Sequence, residues 1–314
     1  LKRILLVSDV KGWGGWVRAE YIKKYLSDEF YFDIVDGWEF NEWEKSGDQR
    51  EDYDLYYFLF HTMLQKKTAQ RLLVNGGANV ITIVTGYPTL KPCFSKTSLD
   101  PRFMFNKLAR GCRAIGSNNL KSLEDLEEVW NSETFYAPRG VDPEIFYPMT
   151  SREDKFTVAY VGKPVPEKGL ENFIRPACER VGADLITNTR NWTDALPADE
   201  MRAFYNKADV YVVSSTIDGT PNPALEAAAC GKPIISNHIG NMPEFIEDGV
   251  NGFLVDRDIE AYARKLNWMK SWMRCNPYRV RLMGKIARET ILRSWTWEKV
   301  INKHERNIFR ELLK

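Results

Sequence analysis

Ser214-Ser215-Thr216-Ile217-Asp218-Gly219-Thr220-Pro221-Asn222-Pro223-Ala224-Leu225-Glu226-Ala227-Ala228-Ala229-Cys230-Gly231-Lys232-Pro233 reads as a strand end, a loop, a short helix and the entry to another strand. The apolar run Val210 to Val213 ends in two serines, and Gly219 and Pro221 punctuate the loop. An alanine-rich helix then begins near Pro223, with Gly231 as its stop. Such a helix turns free backbone N–H groups and the positive end of its dipole toward the strand ends, a setting that suits a diphosphate. Asp218 before the helix and Glu226 inside it are placed to accept hydrogen bonds from sugar and ribose hydroxyls. Taken as isolated residues, the two acids also read as an ordinary loop acid and an ordinary helix-surface acid.

The same alternation extends to both ends of the chain and implies an α/β protein with parallel sheets. Strands are expected at Arg3 to Ser8, Tyr31 to Val35, Leu55 to Phe60, Val80 to Val84, Ala114 to Gly116 and Thr134 to Tyr136. The periodicity stops between Gly140 and Thr150, around Pro143 and Pro148, and resumes at Phe156. Strands follow near Ala183 to Thr187, Val210 to Val213, Pro233 to Ser236 and Gly252 to Val255. The tail from Ile259 to Lys314 is helical in period, with a break at Asn276-Pro277. The expected division is 1–150, 151–293 and a terminal helix over 294–314. Two Rossmann-like halves would put a binding cleft at the carboxyl ends of both sheets.

The 314 residues are enough for two cores. Forty-four basic against 43 acidic residues give a net charge of +1, and the two signs are mixed along the chain, which gives no support to a general nucleic-acid binder. Five scattered cysteines form no CxxC pair or Cys/His cluster, so reduced thiols and a cytoplasmic location are expected. No apolar run approaches the ~20 residues of a membrane span, and the apolar opening is cut off at Ser8-Asp9, the expectation being neither a spanning segment nor a signal peptide. Lys66-Lys67 and Lys107 to Arg113 read as helix faces, with a peripheral contact to an anionic lipid surface or a phosphate backbone as the alternative.

The Ser214 to Pro233 stretch resembles the retaining glycosyltransferases of family 4, whose E-x7-E motif lies within S-x-x-E-G-x-P-x-x-x-L-E-A-x-A-x-G-x-P. Gly219, Pro221, Leu225, Glu226, Ala227, Ala229, Gly231 and Pro233 carry the match. Val161-Gly162-Lys163-Pro164-Val165-Pro166-Glu167-Lys168-Gly169 is similar to that family's V-G-R-x-x-x-x-K-G. Gly140-Val141-Asp142-Pro143-Glu144-Ile145-Phe146-Tyr147-Pro148 and Tyr205-Asn206-Lys207-Ala208-Asp209-Val210 look like its interdomain link and a strand entry.

The resemblance implies the GT-B fold, with two Rossmann-like domains and a C-terminal helix that crosses back onto the first. It also implies transfer of a sugar, with retention, from a UDP- or GDP-sugar to a hydroxyl acceptor. Lys163 and Lys168 would grip the diphosphate, Glu226 would bind the ribose, and Asp218 would meet the transferred sugar. Gly162, Gly219, Thr220, Pro221, Asn222 and Leu225 would complete the donor site, and Gly14 and Gly15 would touch donor phosphate and acceptor. The Gly12-Trp13-Gly14-Gly15 turn is equally a tight β-to-α connection. Two positions depart from the pattern: Lys163 replaces an arginine, and Asp218 replaces the first glutamate.

The family's usual histidine is missing where this chain reads Ile83-Val84-Thr85-Gly86-Tyr87. Thr85, Tyr87 or His61 takes part of that role, or the alignment slips there. His61 is alternatively a structural residue at a strand end. Asp256-Arg257-Asp258 reads as a helix start, so neither a metal nor a separate cofactor is expected. The acceptor stays open among glycan, lipid carrier, small molecule and modified nucleic-acid base. Aromatic residues of the first half, Trp13 and Trp38 among them, could stack on a sugar or a base. A nucleotide-sugar epimerase of the same fold and a non-catalytic nucleotide-sugar-binding module are the competing readings.

Overall fold

The computed structural model describes residues 1–46, 53–74, 79–84, 109–128, 130, 133–150, 155–189 and 196–314. The chain forms two compact units, Leu1–Arg139 with Trp297–Lys314, and Gly140–Thr296.

The first unit carries strands β1 (Lys2–Val7), β2 (Phe30–Val35), β3 (Leu55–Phe58), β4 (Val80–Val84), β5 (Ala114–Ser117) and β6 (Glu133–Tyr136), in the order β2-β1-β3-β4-β5-β6. All of these pairings are parallel. Side chains alternate across a strand, so Ile4 and Leu6 of β1 enter one core while Leu5 and Val7 enter the other. A parallel sheet must be covered on both faces, which accounts for the near-continuous apolar run of β1.

One of those covers comes from the chain's far end. Trp297, Val300, Ile301, Ile308, Phe309 and Leu312 join the core that contains Ile4 and Tyr57. The Trp297 ring stacks on Tyr21 at 5.1 Å, and Phe309 meets Phe30 and Tyr57 edge-on, each at 5.7 Å. Beneath this apolar layer lies an ion pair with no exposed carboxylate. Arg18 Nε donates to Glu305 Oε1 at 2.8 Å, and Arg18 Nη2 donates to the same oxygen and to Pro138 O at 3.1 Å. Arg18 is 3% exposed and Glu305 0%. Burial raises the Glu305 pKa against the opposing pull of Arg18.

The second unit carries β7 (Thr157–Val161), β8 (Asp184–Asn188), β9 (Val210–Val213), β10 (Ile234–Ser236) and β11 (Gly252–Leu254), in the order β11-β10-β9-β7-β8, again with every pairing parallel. After β8 the chain returns to the other side of β7 to form β9, so the strand order reverses between β7 and β9. In open parallel sheets that reversal opens a crevice at the carboxyl ends of the two strands.

The proline-containing stretch expected to close the first domain packs within the second unit. Val141 N donates to Trp295 O at 2.9 Å, and Arg202 Nη1 donates to Ile145 O at 3.0 Å. Asn206 Nδ2 donates to Tyr147 O at 3.0 Å while its Oδ1 accepts from Met149 N at 2.7 Å. Backbone groups that lack a strand partner are thus satisfied by side chains of the Ala198–Asn206 helix.

Candidate functional site

A cavity of about 430 Å³ opens at the β7/β9 reversal, and its walls come wholly from the second unit. This volume is in the usual range for a small-ligand pocket. Gly162, Lys163, Lys168, Asp218, Thr220, Pro221, Asn222 and Glu226, all expected from the sequence to meet a donor, line it together.

Lys163 follows β7 after the single residue Gly162. Lys168 ends a single 3-10 turn, Pro166–Lys168, closed by Gly169 at φ +72°. A Cβ at Gly169 would also press into Ser214, 2.5 Å from its Oγ, so this position needs glycine for space as well as for conformation. The turn is tied to the β9 loop by Thr216 N, which donates to Glu167 O at 2.8 Å. Arg257 ties it further, its Nη2 donating to Pro166 O at 3.3 Å and its Nε to Ser214 O at 2.9 Å. In the Asp256-Arg257-Asp258 segment, Asp258 caps the Ile259–Cys275 helix by accepting from Ala261 N at 2.8 Å, the helix start the sequence indicates.

Lys168 Nζ donates to Asp218 Oδ2 at 2.5 Å and to Ile217 O at 3.3 Å, in a half-buried setting. The pair sets a cation and an acid side by side on the cavity wall. The Asn222–Ala229 helix begins at Pro221 with no side-chain cap hydrogen bond, but the free N–H groups expected there are engaged: Asn222 N donates to Thr220 O at 2.8 Å, Ala224 N donates to Pro221 O at 2.9 Å, and Pro223 brings no N–H of its own. Its first turn lines the cavity through Pro221, Asn222 and Pro223. The approach of the preceding loop to its neighbour is close. Gly240 has φ +53°, and a Cβ there would lie 2.5 Å from Gly219 O.

Glu226 accepts a hydrogen bond of 2.6 Å from Tyr205 Oη at its Oε2. Tyr205 is one of three tyrosines lining the cavity, and the sequence marked none of them as functional. Tyr211 Oη accepts from Val161 N and donates to Val161 O, both at 3.2 Å, and so braces the residue before Gly162. Tyr160 Oη donates to Lys168 O at 3.4 Å. Burial first, and negative charge nearby second, raise the pKa of Tyr205 well above the ordinary phenol value. Such a group stays a proton donor throughout the neutral range. A buried tyrosine needs a partner for its hydroxyl, which is the only sequence signal that could have singled these residues out.

Other expected residues are placed elsewhere. Leu225 is 1% exposed, and its side chain packs with Ala224, Ala227 and Ala228 in the core. Gly219 is buried behind the cavity against Gly240.

In the first unit Gly14 opens the Gly14–Leu26 helix. Its carbonyl accepts from Arg139 Nη2, and a Cβ there would overlap that guanidinium. A Cβ at Gly15 would stand 2.9 Å from Ser8 Oγ.

His61 starts the His61–Gln65 3-10 helix after β3 ends at Phe58, and is 0% exposed. Burial lowers its pKa to about 4, against the effect of a hydrogen bond with the Ile83 backbone. It has no surface to offer a substrate, which corrects the expected sugar or acceptor contact. Thr85 and Tyr87 lie outside the described residues. Among the described residues no helix is long and apolar enough to cross a membrane, and no three His, Cys, Asp or Glu side chains form a metal-holding group.

Residues 145–271 match the family model for glycosyl transferases group 1. Over 204 residues the chain is 26% identical to a GDP-mannose-dependent alpha-(1-6)-phosphatidylinositol monomannoside mannosyltransferase of Mycolicibacterium smegmatis, covering 52% of each protein. It is 35% identical over 119 residues to a D-inositol 3-phosphate glycosyltransferase of Frankia alni, covering 37% of this chain and 28% of that protein. The chain spans about half the length of the first of these relatives and less of the second.

Among solved structures it is similar to a sucrose-phosphate synthase from Thermosynechococcus elongatus, with a TM-score of 0.80, 15% identity and 99% of both chains covered. It is also similar to Anabaena HepE in complex with UDP and glucose, with a TM-score of 0.75, 15% identity, and 99% of this chain and 100% of that one covered. The chain therefore has the GT-B fold of the glycosyltransferases, and the stretch that matches glycosyl transferases group 1 lies in its second unit.

Proposed function

We propose that this chain is a retaining hexosyltransferase that uses a UDP- or GDP-sugar and a hydroxyl acceptor, and that the β7/β9 cavity holds the donor. One observation carries the reading: two lysines, the positive end of a helix dipole and two carboxylates converge on one cavity at a strand-order reversal. The likeness to a structure containing UDP and glucose and to a GDP-mannose-dependent enzyme supports the donor class.

In the reaction, the bond between the anomeric carbon and the diphosphate oxygen breaks, its electron pair leaving with the nucleoside diphosphate. The acceptor oxygen bonds to the same carbon and gives up its proton to the departing diphosphate. The barrier lies in an oxocarbenium-like sugar and in the charge that develops on the leaving diphosphate. Lys163, Lys168 and the first turn of the Asn222–Ala229 helix hold positive potential in place before that charge forms. No metal or separate cofactor is part of this scheme.

Lys168 pairs with Asp218, so a diphosphate would compete with Asp218 for the ammonium group. Asp218 would then be released toward the sugar hydroxyls. Glu226, braced by Tyr205, takes the ribose. The acceptor would be a glycan, a lipid carrier, a small hydroxyl compound or a modified nucleic-acid base.

Calorimetry with a panel of UDP- and GDP-sugars tests the donor assignment. One nucleotide should bind well above the others, and failure of every nucleotide sugar to bind would overturn it. With an acceptor found, NMR of the product should show an α-linkage from an α-linked donor. A β-linkage would refute retention.

A further inference from the structure

We propose that Tyr205 is a positioning residue for the donor ribose: its buried hydroxyl fixes the plane of the Glu226 carboxylate, and with it the ability of this site to recognise ribose hydroxyls. The proposal rests on the donor reading above, and adds to it a residue that would act through Glu226 and not by touching the nucleotide's reacting atoms.

Tyr205 stands near the end of the Ala198–Asn206 helix, and Glu226 lies within the Asn222–Ala229 helix. The phenol is 0% exposed and its ring is held at an edge-on angle by Phe146 at 6.1 Å and Tyr211 at 5.9 Å. Its hydroxyl therefore points in a fixed direction. The 2.6 Å distance to Oε2 is that of a hydrogen bond to an ionised acceptor.

The last torsion of a glutamate is broad and roughly two-fold, so a carboxylate at a pocket wall has no preferred plane of its own. One strong bond from a rigid donor supplies that plane. A carboxylate has about four acceptor positions, of which Tyr205 takes one at Oε2, and a ribose diol would draw on two. A diol asks for two acceptor directions at once, and so is sensitive to that plane in a way that a single contact is not.

The test uses the whole chain and the better-binding of UDP and GDP, together with the 2′,3′-dideoxy form of the same nucleotide. The wild type should bind the ribonucleotide at least tenfold more tightly than its dideoxy form. Tyr205→Phe preserves the ring packing against Phe146 and Tyr211 and removes only the hydroxyl. It should bind the ribonucleotide roughly tenfold more weakly, in line with the loss of a hydrogen bond to a charged group. Its affinity for the dideoxy nucleotide should be unchanged, so the discrimination collapses.

Equal weakening of both nucleotides would show a merely structural role, and unaltered discrimination would show no role; either overturns the proposal. If the wild type itself fails to discriminate, the assignment of Glu226 to the ribose falls, and the role of Tyr205 with it. If neither nucleotide binds, the donor reading is what has failed.

Discussion

In the second unit, the residues that line the cavity come from one continuous part of the chain, Tyr160 to Glu226, whereas the first unit is completed by Trp297–Lys314, from the opposite end. The first arrangement is built from near neighbours in sequence, and a pattern of glycines, prolines and acids can announce it. The second is built from partners as far apart as Arg18 and Glu305, and no local pattern announces such a pair. The two units should accordingly break in different ways.

The largest effect is expected at the buried ion pair. Glu305→Ala leaves the Arg18 guanidinium in the core without its counter-charge, which costs about 3–5 kcal/mol when one partner of such a pair is removed. Chemical unfolding of this variant should show the loss, while calorimetric affinity for the donor nucleotide stays near wild type because the cavity walls are all in the other unit. Replacing both partners by apolar residues, Arg18→Met with Glu305→Leu, should recover much of the stability. A double variant as weak as the single one would mean that the pair is needed for more than charge balance.

Next in size is the cavity's cation. Lys168→Ala should lower turnover by a factor of about 10²–10³, the usual consequence of removing one preorganised group that stabilises a leaving charge. It should leave the unfolding midpoint little changed, since the lysine is half-buried and pairs with a half-buried acid. Steady-state kinetics and a thermal melt on the same preparation separate the two readouts. A variant with full turnover would remove Lys168 from the mechanism.

The same contrast explains what could be read in advance. Both parallel sheets were legible because Ile4, Leu5, Leu6 and Val7 sit in continuous apolar runs that only a doubly covered strand requires. That Lys163, Lys168, Asp218 and Glu226 would line one cavity was legible because the two segments that carry them resemble known motifs. Tyr160, Tyr205 and Tyr211 were not, because their role lies in hydroxyl contacts to Lys168, Glu226 and Val161 that exist only after folding. His61 misled because a strand end looks alike whether the chain then turns outward or, as here, into a buried 3-10 helix.

His61 also gives the first unit a sensitivity to acid. Its folded pKa, lowered to about 4 by burial, lies below the ordinary 6.5, so the unfolded chain binds the proton more readily between those values. The neutral imidazole's contribution is complete above pH 6.5 and is lost as the pH falls toward 4, at most about 3 kcal/mol in all. His304, in the same unit, is likewise lowered to about 4, by burial first and then by Lys303 and Arg18. Melting temperatures at pH 7 and pH 5 should fall apart for the wild type and less so for His61→Gln. Parallel pH profiles would show that other groups dominate acid unfolding.

The smallest effect returns to the second unit, at Tyr211. Beyond the Ala159↔Tyr211 pairing, the Tyr211 hydroxyl takes both the N–H and the carbonyl of Val161 where β7 and β9 part. It substitutes there for the ladder that the cavity interrupts. Tyr211→Phe leaves two backbone groups of a part-buried residue to find other partners, at a cost of about 1–2 kcal/mol. Because Val161 leads straight into Gly162 and Lys163, the loss should also loosen the diphosphate end of the cavity. Nucleotide affinity should then fall for ribo- and dideoxy forms alike, the opposite of the selective change expected from Tyr205→Phe. A hydroxyl that braces the loop and a hydroxyl that orients a ligand-binding acid are thereby told apart with the same two nucleotides.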